Sequence, residues 1–224
     1  MEKDAHKSSP GPQPLLVAIV GGSGAGKTWL AGKLEAALTP DATRFSLDDF
    51  YRDCSRLDPA RRAKINFDHP RAIDWPIMEQ VLEDLRAGRA ARLPRYDFKT
   101  HSRLAKKNLL AHKPVVLVDG LWLLHRRSLR RAFALKIFVD CPVRTRRGRR
   151  MTRDLRSRGR SRASILEQLQ NTVEPMHERF VAPQEKWADV VVRHNIGARE
   201  IQRLARELRD KLNALRSTNA KNGE

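Results

Sequence analysis

The sequence feature that most constrains the fold is a glycine-rich turn near the N-terminus, set between an apolar run and a helical pattern. Residues 15–20 are LLVAIV, and residues 21–28 are GGSGAGKT. Glycines allow positive φ angles and let backbone N–H groups approach a phosphate without obstruction by a Cβ atom. The start of a helix adds a partial positive charge at the same place. This pattern predicts a P-loop, and therefore a nucleotide-binding site.

The P-loop pattern assigns a phosphate-binding role to a continuous stretch of the chain. Lys27 would reach the outer phosphates, and the hydroxyl of Thr28 would hold Mg²⁺. The alternative is a glycine-rich turn with a chance lysine, which the strand before it and the helix after it disfavour. The motif does not separate kinases, GTPases and motor proteins. The residues expected to bind the nucleotide are Gly21, Gly22, Ser23, Gly24, Ala25, Gly26, Lys27 and Thr28.

Length and composition are those of a globular protein. The chain has 224 residues, of which 40% are hydrophobic and 32% charged, enough for one domain or at most two. No apolar run approaches the roughly 20 residues needed to cross a bilayer, so no membrane association is expected. Residues 1–14 are expected to be a disordered lead-in and residues 217–224 a disordered tail, around one domain at residues 15–216. Cys54 and Cys141 are expected to be free thiols, typical of a cytoplasmic protein.

Positive charge is concentrated in one part of the chain. The formal net charge is +19, and residues 142–162 contain ten arginines against a single acid, Asp154. A charge this high favours phosphate-rich partners. The arginine run predicts a helix followed by a hinge at Gly159. Three interpretations fit it: a solvated basic face, a lid that closes over phosphates, or a nucleic-acid patch.

The alternation of apolar strands and helical patterns predicts an α/β fold, a mostly parallel sheet flanked by helices. Acids follow two of the strands: Asp48 and Asp49 come directly after the second, and Asp119 ends the run PVVLVD. Parallel strands bring their carboxyl ends to one edge of the sheet, where ligands bind. One of the two adjacent acids could accept a proton from an attacking hydroxyl, or hold Mg²⁺ through water. Capping of the next helix is the alternative.

A segment rich in aromatic and hydrogen-bonding side chains, residues 92–112, predicts a β-hairpin that forms a lip. Tyr96, Phe98 and His101 could stack on and hydrogen-bond a planar ligand there. The alternative for the same segment is a surface hairpin with no ligand-binding role. A later helical pattern, residues 163–180, contains Pro175, which is expected to kink or end that helix.

Seven motifs, taken together and in order, give the chain a family resemblance. They are GGSGAGKT, SLDDFYRD, NFDHPRAID, PRYDFKTHSR, VVLVDG, RRMTRDLRSRGR and VEPMHERFVAP, and the match runs over about residues 15–192. Many P-loop families share the first motif, but the third, fourth and sixth in this order are far more specific. The sequence resembles uridine kinase (uridine–cytidine kinase), within a wider group that includes phosphoribulokinase and pantothenate kinase.

The resemblance implies a reaction, the transfer of the ATP γ-phosphate to the 5′-hydroxyl of uridine or cytidine in pyrimidine salvage. It makes Asp48 the catalytic base and so chooses it over Asp49. Lys27 and Arg153 complete the expected catalytic set. The expected ligands of Mg²⁺ are Thr28, Asp48 and Asp119.

The resemblance also implies how the acceptor is held. Asp68 matches the residue that holds the ribose hydroxyls, with Arg150 beside it. Tyr96 and His101 match residues that contact the base, and His101 would recognise the edge of the pyrimidine. The full expected substrate set is Asp68, Tyr96, Phe98, His101, Arg150, Arg160 and Gln168.

The arginine run becomes, by the same resemblance, a helical lid over about residues 142–162. Arg153 and Arg158 resemble lid arginines that face the phosphates, which adds Arg158 to the ATP-binding set. The lid does not explain every arginine in the run. Those interpreted as plain solvated charge are Arg144, Arg146, Arg147 and Arg156.

One residue departs from the family pattern. The acid that ends PVVLVD is usually Glu in the family and is Asp119 here, one methylene shorter. Contact with Mg²⁺ through a water is therefore favoured over direct contact. Because Walker-type strands commonly end in Asp, activity is expected to survive.

Two other functions stay open on the sequence. A kinase of the same fold could phosphorylate another small alcohol, such as ribulose 5-phosphate or pantothenate, although the pattern YDFxxH favours a planar base. A non-catalytic nucleic-acid-binding protein would suit the net charge, but it would not need Asp48, Lys27 and Thr28 together. Nucleic acid is therefore not the expected partner. Members of the family often form tetramers, so the resemblance also implies a homo-oligomer.

Overall fold

The computed structural model describes residues 11–221, apart from the side chains of residues 59, 63 and 218–221. Residues 1–10 and 222–224, parts of the predicted lead-in and tail, lie outside the described residues. Within the described range the strands are β1 (Leu15–Gly21), β2 (Ala42–Ser46), β3 (Arg92–Leu93), β4 (Tyr96–Asp97), β5 (Ser102–Arg103), β6 (Asn108–Leu109), β7 (Val115–Gly120), β8 (Leu135–Asp140) and β9 (Val190–Arg193).

Helices surround these strands and connect most of them. Two π-helical turns, Leu169–Val173 and His177–Val181, are continuous with the shorter helices of the C-terminal half. In the part of the chain that the structure describes, no helix is both long and apolar enough to span a membrane. The α-helices are α1 (Lys27–Ala37), α2 (Pro59–Ala63), α3 (Trp75–Arg86), α4 (Arg127–Arg130), α5 (Val143–Ser157), α6 (Arg162–Gln168), α7 (Glu174–Met176) and α8 (Ala198–Lys221).

The sheet has the topology that places a ligand site at its carboxyl edge. Five strands pair in parallel in the order β2-β7-β1-β8-β9. Ser46 at the end of β2 lies opposite Asp119 of β7, and Val20 of β1 lies opposite Gly120. The glycine turn after β1 and the acids after β2 and in β7 therefore meet at one edge, and the predicted α/β fold is confirmed.

Strand β1 is buried on both faces, which explains why its sequence is an unbroken apolar run. Leu16 joins a core with Met78 of α3 on one face. Val17 joins a core with Leu30 of α1 and Leu204 of α8 on the other. Burying one such side chain stabilises the fold by about 1.5–3 kcal/mol. The strand that leads into the glycine turn is thus a rigid support for it.

The predicted hairpin lip is present as two short antiparallel ladders. β3 pairs with β6, and β4 pairs with β5. Tyr96 is buried at the start of β4 and lies opposite Arg103 of β5. The lip is therefore a real hairpin, with one aromatic side chain fixed in the core at its base.

The helix was expected to kink or end at Pro175, and it does not end there. α6 leads into the π-helical turn Leu169–Val173, and α7 follows with Pro175 in its first turn. The hydrogen-bond register already changes at the π-helical turn, so the missing N–H of the proline interrupts no regular α-helical ladder. The alternative in which the helix ends at this proline was wrong for this physical reason.

Ordered contacts extend beyond both ends of the predicted domain, residues 15–216. The N–H of Gly11 donates to the carbonyl of Gly88 at 2.9 Å, and Pro14 is buried, so these two residues of the predicted lead-in contact the domain. At the other end, α8 continues past residue 216 to Lys221. The hydroxyl of Ser217 donates to the carbonyl of Asn213 at 3.0 Å, a contact between adjacent helical turns.

Candidate active site

A cavity of about 770 Å³ opens at the carboxyl edge of the sheet. Its walls come from the glycine turn, the segment after β2, the lip, and helices α5 and α6 with the π-helical turn that follows. Most of the residues predicted from the sequence line this one cavity. They are Ser23, Gly24, Gly26, Lys27, Thr28, Asp48, Asp68, Tyr96, Phe98, His101, Asp119, Arg150, Arg153, Arg158, Arg160 and Gln168.

Three predicted nucleotide-binding residues do not line the cavity: Gly21, Gly22 and Ala25. A Cβ on Gly21 would stand 2.6 Å from the carbonyl oxygen of Val139, and the φ angle there is +153°. A Cβ on Gly22 would stand 2.8 Å from the side chain of Arg146. These glycines let the turn pack closely against β8 and α5. Gly21 and Gly22 therefore shape the turn on the side away from the cavity. Ser23, Gly24 and residues 26–28 form its wall.

Lys27 and Thr28 connect the glycine turn to the acid at the end of β7. The ammonium of Lys27 donates to the carbonyl of Gly22 at 3.0 Å, which folds the side chain back over the turn. Burial lowers the pKa of Lys27, while the charges of Asp48 and Asp119 oppose that shift. The hydroxyl of Thr28 donates to Oδ1 of Asp119 at 3.0 Å. A cation, a hydroxyl and two carboxylates are thus gathered where the outer phosphates of a nucleotide would lie.

The carboxylate of Asp119 has the features of a metal ligand. Its Oδ1 accepts hydrogen bonds from Thr28 and, at 3.3 Å, from Ser46, but its buried Oδ2 has no hydrogen-bond partner among the described residues. Burial raises the pKa of Asp119 to about 6, and the charge of Asp48 adds to the shift. Hard oxygen donors at this spacing fit Mg²⁺, which favours carboxylates and hydroxyls.

The structure separates the two adjacent acids, Asp48 and Asp49. Ser46 caps the short 3₁₀ turn Leu47–Phe50, because its hydroxyl accepts the N–H of Asp48 at 3.2 Å. Capping therefore falls to Ser46. Asp48 lines the cavity, whereas Asp49 does not. Burial raises the pKa of Asp49, against the opposing effect of a hydrogen bond from the backbone of Tyr96. Only Asp48 is placed to reach a bound ligand.

Asp68 and Arg150 form a bridge across the cavity. Asp68 accepts from Nη1 of Arg150 at 3.2 Å and from the hydroxyl of Thr172 at 3.2 Å. The same Nη1 donates to the hydroxyl of Ser23 at 3.0 Å. Arg150 is buried, and these partners compensate its positive charge. One guanidinium therefore links the glycine turn to the carboxylate expected to hold a ribose.

The aromatic side chains of the lip form a planar wall. The His101 ring stacks on Phe67 with centroids 4.0 Å apart and planes 13° apart. The Tyr96 hydroxyl lies 3.4 Å from Nδ1 of His101. His101 has φ of +53°, a left-handed value that is rare outside glycine and tends to occur where a ligand is clamped. Burial, together with the charge of Arg160, lowers the pKa of His101 to about 4, so the ring is neutral at physiological pH.

The arginines of α5 are organised around one buried carboxylate. Asp154 is fully buried, and it pairs with Arg153 at 2.8 Å, Arg160 at 3.2 Å, Arg150 at 3.4 Å and Arg158 at 3.7 Å. Burial alone would raise the pKa of Asp154, but the nearby guanidiniums outweigh it and the pKa is lowered. Asp154 itself does not line the cavity, whereas all four arginines do.

The predicted lid is connected to the lip. The guanidinium of Arg158 lies 4.5 Å from the ring centroid of Phe98, at cation–π distance. Gly159, with φ of +64°, turns the chain after α5 so that Arg160 returns to Asp154. Phe98 therefore packs on an arginine in this structure. Its predicted stacking on a ligand stays a prediction, and Arg158 already contacts the ring.

Of the arginines interpreted as solvated charge, one is not solvated. Arg146 is buried, its Nη2 pairs with Glu174 at 2.9 Å, and its Nε donates to the carbonyl of Cys141 at 3.1 Å. It holds α5 against the glycine turn and α7. The exposed positions agree with the prediction, and they are Arg144, Arg147 and Arg156.

Comparison with known proteins assigns the family. The family model described as phosphoribulokinase/uridine kinase matches residues 16–199. The chain belongs to this family. A uridine kinase of Chloroflexus aurantiacus is 39% identical over 80% of this chain and 86% of its own length. A uridine kinase of Brevibacillus brevis is 37% identical over 80% of this chain and 84% of its own length. Membership of this kinase family implies the use of ATP.

A solved structure supports the fold independently. Phosphoribulokinase from Rhodobacter spheroides superimposes with a TM-score of 0.63 over 81% of this chain and 70% of its own length. The sequence identity is 13%, so this likeness concerns the fold alone.

Several side chains of the site were not predicted. Ser46 caps the turn that carries Asp48, and Thr172 holds Asp68. Phe67 supports His101 from behind. The sequence carried usable signals for Asp154, the single acid in an arginine run, and for Ser46, a residue type typical of caps two positions before Asp48. The contacts of Thr172 and Phe67 join residues far apart in the chain, which spacing alone does not reveal.

Proposed function

We propose that the protein transfers the γ-phosphate of ATP to the 5′-hydroxyl of uridine or cytidine, giving UMP or CMP. The observation that carries the proposal is the single cavity that joins a P-loop, an uncommitted acid and a planar aromatic wall. Two relatives that the chain covers over most of their length are named uridine kinases. Both halves of the reaction, donor binding and acceptor binding, have residues suited to them.

At the donor end, the chain's own groups hold and neutralise phosphate. The N–H groups of the glycine turn and Lys27 would cradle the outer phosphates, and Arg153 and Arg158 would face the transferred group from the lid. Thr28 and Asp119, with Asp48 nearby, would hold Mg²⁺, which when bound neutralises charge on the phosphate oxygens. Such catalysis depends on positioning and electrostatics.

At the acceptor end, Asp48 would take the proton of the attacking 5′-hydroxyl as general base. It lines the cavity, and its carboxylate is not needed for capping because Ser46 does that. Asp68 and Arg150 would hold the ribose hydroxyls, since a carboxylate accepts and a guanidinium donates. The nucleophile would therefore be fixed at its ribose and activated at its 5′ end.

His101 and Tyr96 would recognise the base. A neutral imidazole offers one donor and one acceptor, which suits the mixed edge of a pyrimidine. Its stacking on Phe67 and contact with Tyr96 hold the ring in a fixed orientation. This planar wall favours a nucleoside over a bare sugar phosphate or pantothenate.

The alternative of a nucleic-acid-binding protein is weakened by the contacts of the arginines. Arg146 and Arg150 are buried and paired, and Arg153, Arg158 and Arg160 surround Asp154.

The proposed protein is cytoplasmic, a location that the free thiols of Cys54 and Cys141 favour. The family resemblance adds a homo-oligomer, a tetramer, to the proposal.

The test is ADP release from Mg-ATP with a panel of acceptors. Uridine, cytidine, adenosine, ribulose 5-phosphate and pantothenate are compared with a reaction that contains no acceptor. We expect turnover with the two pyrimidine nucleosides only. Turnover with ribulose 5-phosphate or pantothenate, and none with uridine or cytidine, would refute the proposed acceptor while retaining the kinase.

A further inference from the structure

One indole lies at the margin of the cavity beside the P-loop. Trp29 follows Thr28 in the first turn of α1, lines the cavity and is 49% exposed. The other indoles of the chain, those of Trp75, Trp122 and Trp187, are buried or half-buried. Trp29 is therefore a large aromatic side chain that is both accessible and adjacent to the phosphate-binding turn.

Its surroundings are cationic and belong to the same cavity. Nη1 of Arg149 donates to the carbonyl of Ala25 at 3.2 Å, which lays this side chain along the glycine turn, and Arg149 also lines the cavity. The ammonium of Lys33 lies 5.9 Å from the Trp29 ring centroid. An aromatic face bordered by positive charge suits a ligand that joins a planar ring to phosphates.

We propose that Trp29 stacks on the base of the donor nucleotide. The inference rests on the proposed function in one respect, that a nucleoside triphosphate occupies the P-loop. If Lys27 and Thr28 hold the outer phosphates, the nucleoside end leaves the turn past the start of α1. Trp29 is the next side chain there, and the lip and its aromatic wall remain free for the acceptor.

Stacking on an indole contributes affinity without selecting between purines. Every purine has a π face, so a stacking contact binds adenine and guanine alike. Recognition of adenine by hydrogen bonds would instead reject guanine, because polar groups of the site would be left unpaired. The proposed contact of Trp29 is therefore one of affinity for the base, not of discrimination between purines.

The competing interpretation is a solvated helix face on which Trp29 contacts only Lys33. It predicts that replacing Trp29 changes the affinity for no nucleotide. Two variants separate the interpretations: Trp29→Leu removes the π system at similar size, and Trp29→Phe keeps an aromatic face. Titration calorimetry with Mg-ATP and with Mg-tripolyphosphate, which has no base, gives the affinity for each.

We expect Trp29→Leu to weaken Mg-ATP by about tenfold, within the range found for aromatic–base stacking, and to leave Mg-tripolyphosphate unchanged. Trp29→Phe should retain most of the affinity for Mg-ATP. Mg-ATP should also quench the indole fluorescence of the wild type, Mg-tripolyphosphate should not, and Trp29→Phe should lose the quench.

Unchanged Mg-ATP affinity in Trp29→Leu, or an equal loss for Mg-ATP and Mg-tripolyphosphate, would overturn the inference. Uridine-dependent ADP release is measured on the same samples. Normal turnover with no effect of Trp29→Leu on Mg-ATP would refute only the stacking contact. A selective loss of Mg-ATP binding without any uridine turnover would refute only the proposed acceptor. Absence of wild-type binding to either ligand would refute both.

Discussion

Replacing Asp154 with asparagine tests whether one buried carboxylate keeps the lid arginines in place. Asp154 is fully buried and lies 2.8 Å from Arg153 and 3.7 Å from Arg158. Removing one partner of a buried ion pair costs about 3–5 kcal/mol, because the remaining charge is left uncompensated. The Arg153 side chain is 37% exposed, so water can solvate part of the released charge. We therefore expect a loss near the lower end, about 3 kcal/mol in the free energy of unfolding.

The four arginines should not respond equally. Arg150 keeps Asp68, and Arg160 keeps Gln168. Within the described part of the chain, Asp154 is the only carboxylate that pairs with Arg153 or Arg158. These two arginines are proposed to face the donor phosphates. Loss of their orientation should lower kcat/KM for ATP by about a hundredfold, the order expected for misplaced catalytic groups, and change the KM for uridine much less.

Urea denaturation and melting curves measure the stability, and initial rates at varied ATP and uridine measure the kinetics. For a chain of this length about 3 kcal/mol corresponds to a fall in Tm of roughly 6–12 °C. Asp84→Asn is the matched control, since Asp84 pairs with exposed Arg89 at 2.7 Å and should cost less than about 1 kcal/mol. If Asp154→Asn behaved like this control in stability and in kcat/KM for ATP, the role given to Asp154 would be refuted.

The stability difference between wild type and Asp154→Asn should also depend on pH, in a direction set by the pKa of Asp154. The pKa of Asp154 is lowered in the folded protein, so its contribution is complete above the unfolded pKa of about 3.9 and is lost as pH falls through the folded pKa. The stability difference between wild type and Asp154→Asn should therefore be constant near neutrality and narrow only below about pH 4. A difference that widened on acidification would contradict the ion pairing.

Three further predictions concern the reacting groups. Asp48→Asn should lower kcat by at least about a hundredfold while Mg-ATP still binds, as for loss of a general base; near-normal turnover would remove Asp48 from that role. His101→Ala should raise the KM for uridine far more than that for ATP. Because the pKa of His101 is about 4, the wild-type KM for uridine should show no step between about pH 6 and pH 7, and a step that vanished in His101→Ala would contradict a neutral ring. Asp119→Asn should raise the Mg²⁺ concentration needed for half-maximal activity, and an unchanged requirement would exclude Asp119 as a ligand.

The parts of the fold and site predicted from sequence are those coded by local patterns. The strand before the glycine turn is apolar because both its faces are buried, and the acids after β2 and in β7 follow from strand ends. Parallel topology then brings these local features to one edge. The choice of Asp48 over Asp49 came from family resemblance, and the structure adds a physical reason, since Ser46 caps the turn and Asp48 lines the cavity.

The parts that were not predicted have two kinds of cause. Gly11 is held by Gly88, a contact between segments that are distant in the chain. The other two depend on local helical hydrogen bonding. In α8, Ser217 donates to Asn213 one turn earlier, and before Pro175 a π-helical turn removes the hydrogen-bond ladder that a proline would break. Composition at these positions favours disorder or a helix break and does not reveal these contacts.

The roles of the arginines in α5 cannot be assigned from the charge pattern alone. Helical spacing places Arg146, Arg150 and Arg153 on one broad face, and spacing alone gives no reason to treat them differently. Their partners differ, however: Arg146 supports the fold through Glu174, and Arg150 joins Ser23 to Asp68. Arg153 keeps part of its side chain in solvent, and Asp154 is the only carboxylate that pairs with it among the described residues. A buried arginine with several partners is held in place, whereas we expect a partly exposed one with a single carboxylate partner to turn toward an incoming phosphate. Burial and partner number, more than position along the helix, therefore separate the arginines that support the fold from those proposed to contact phosphate.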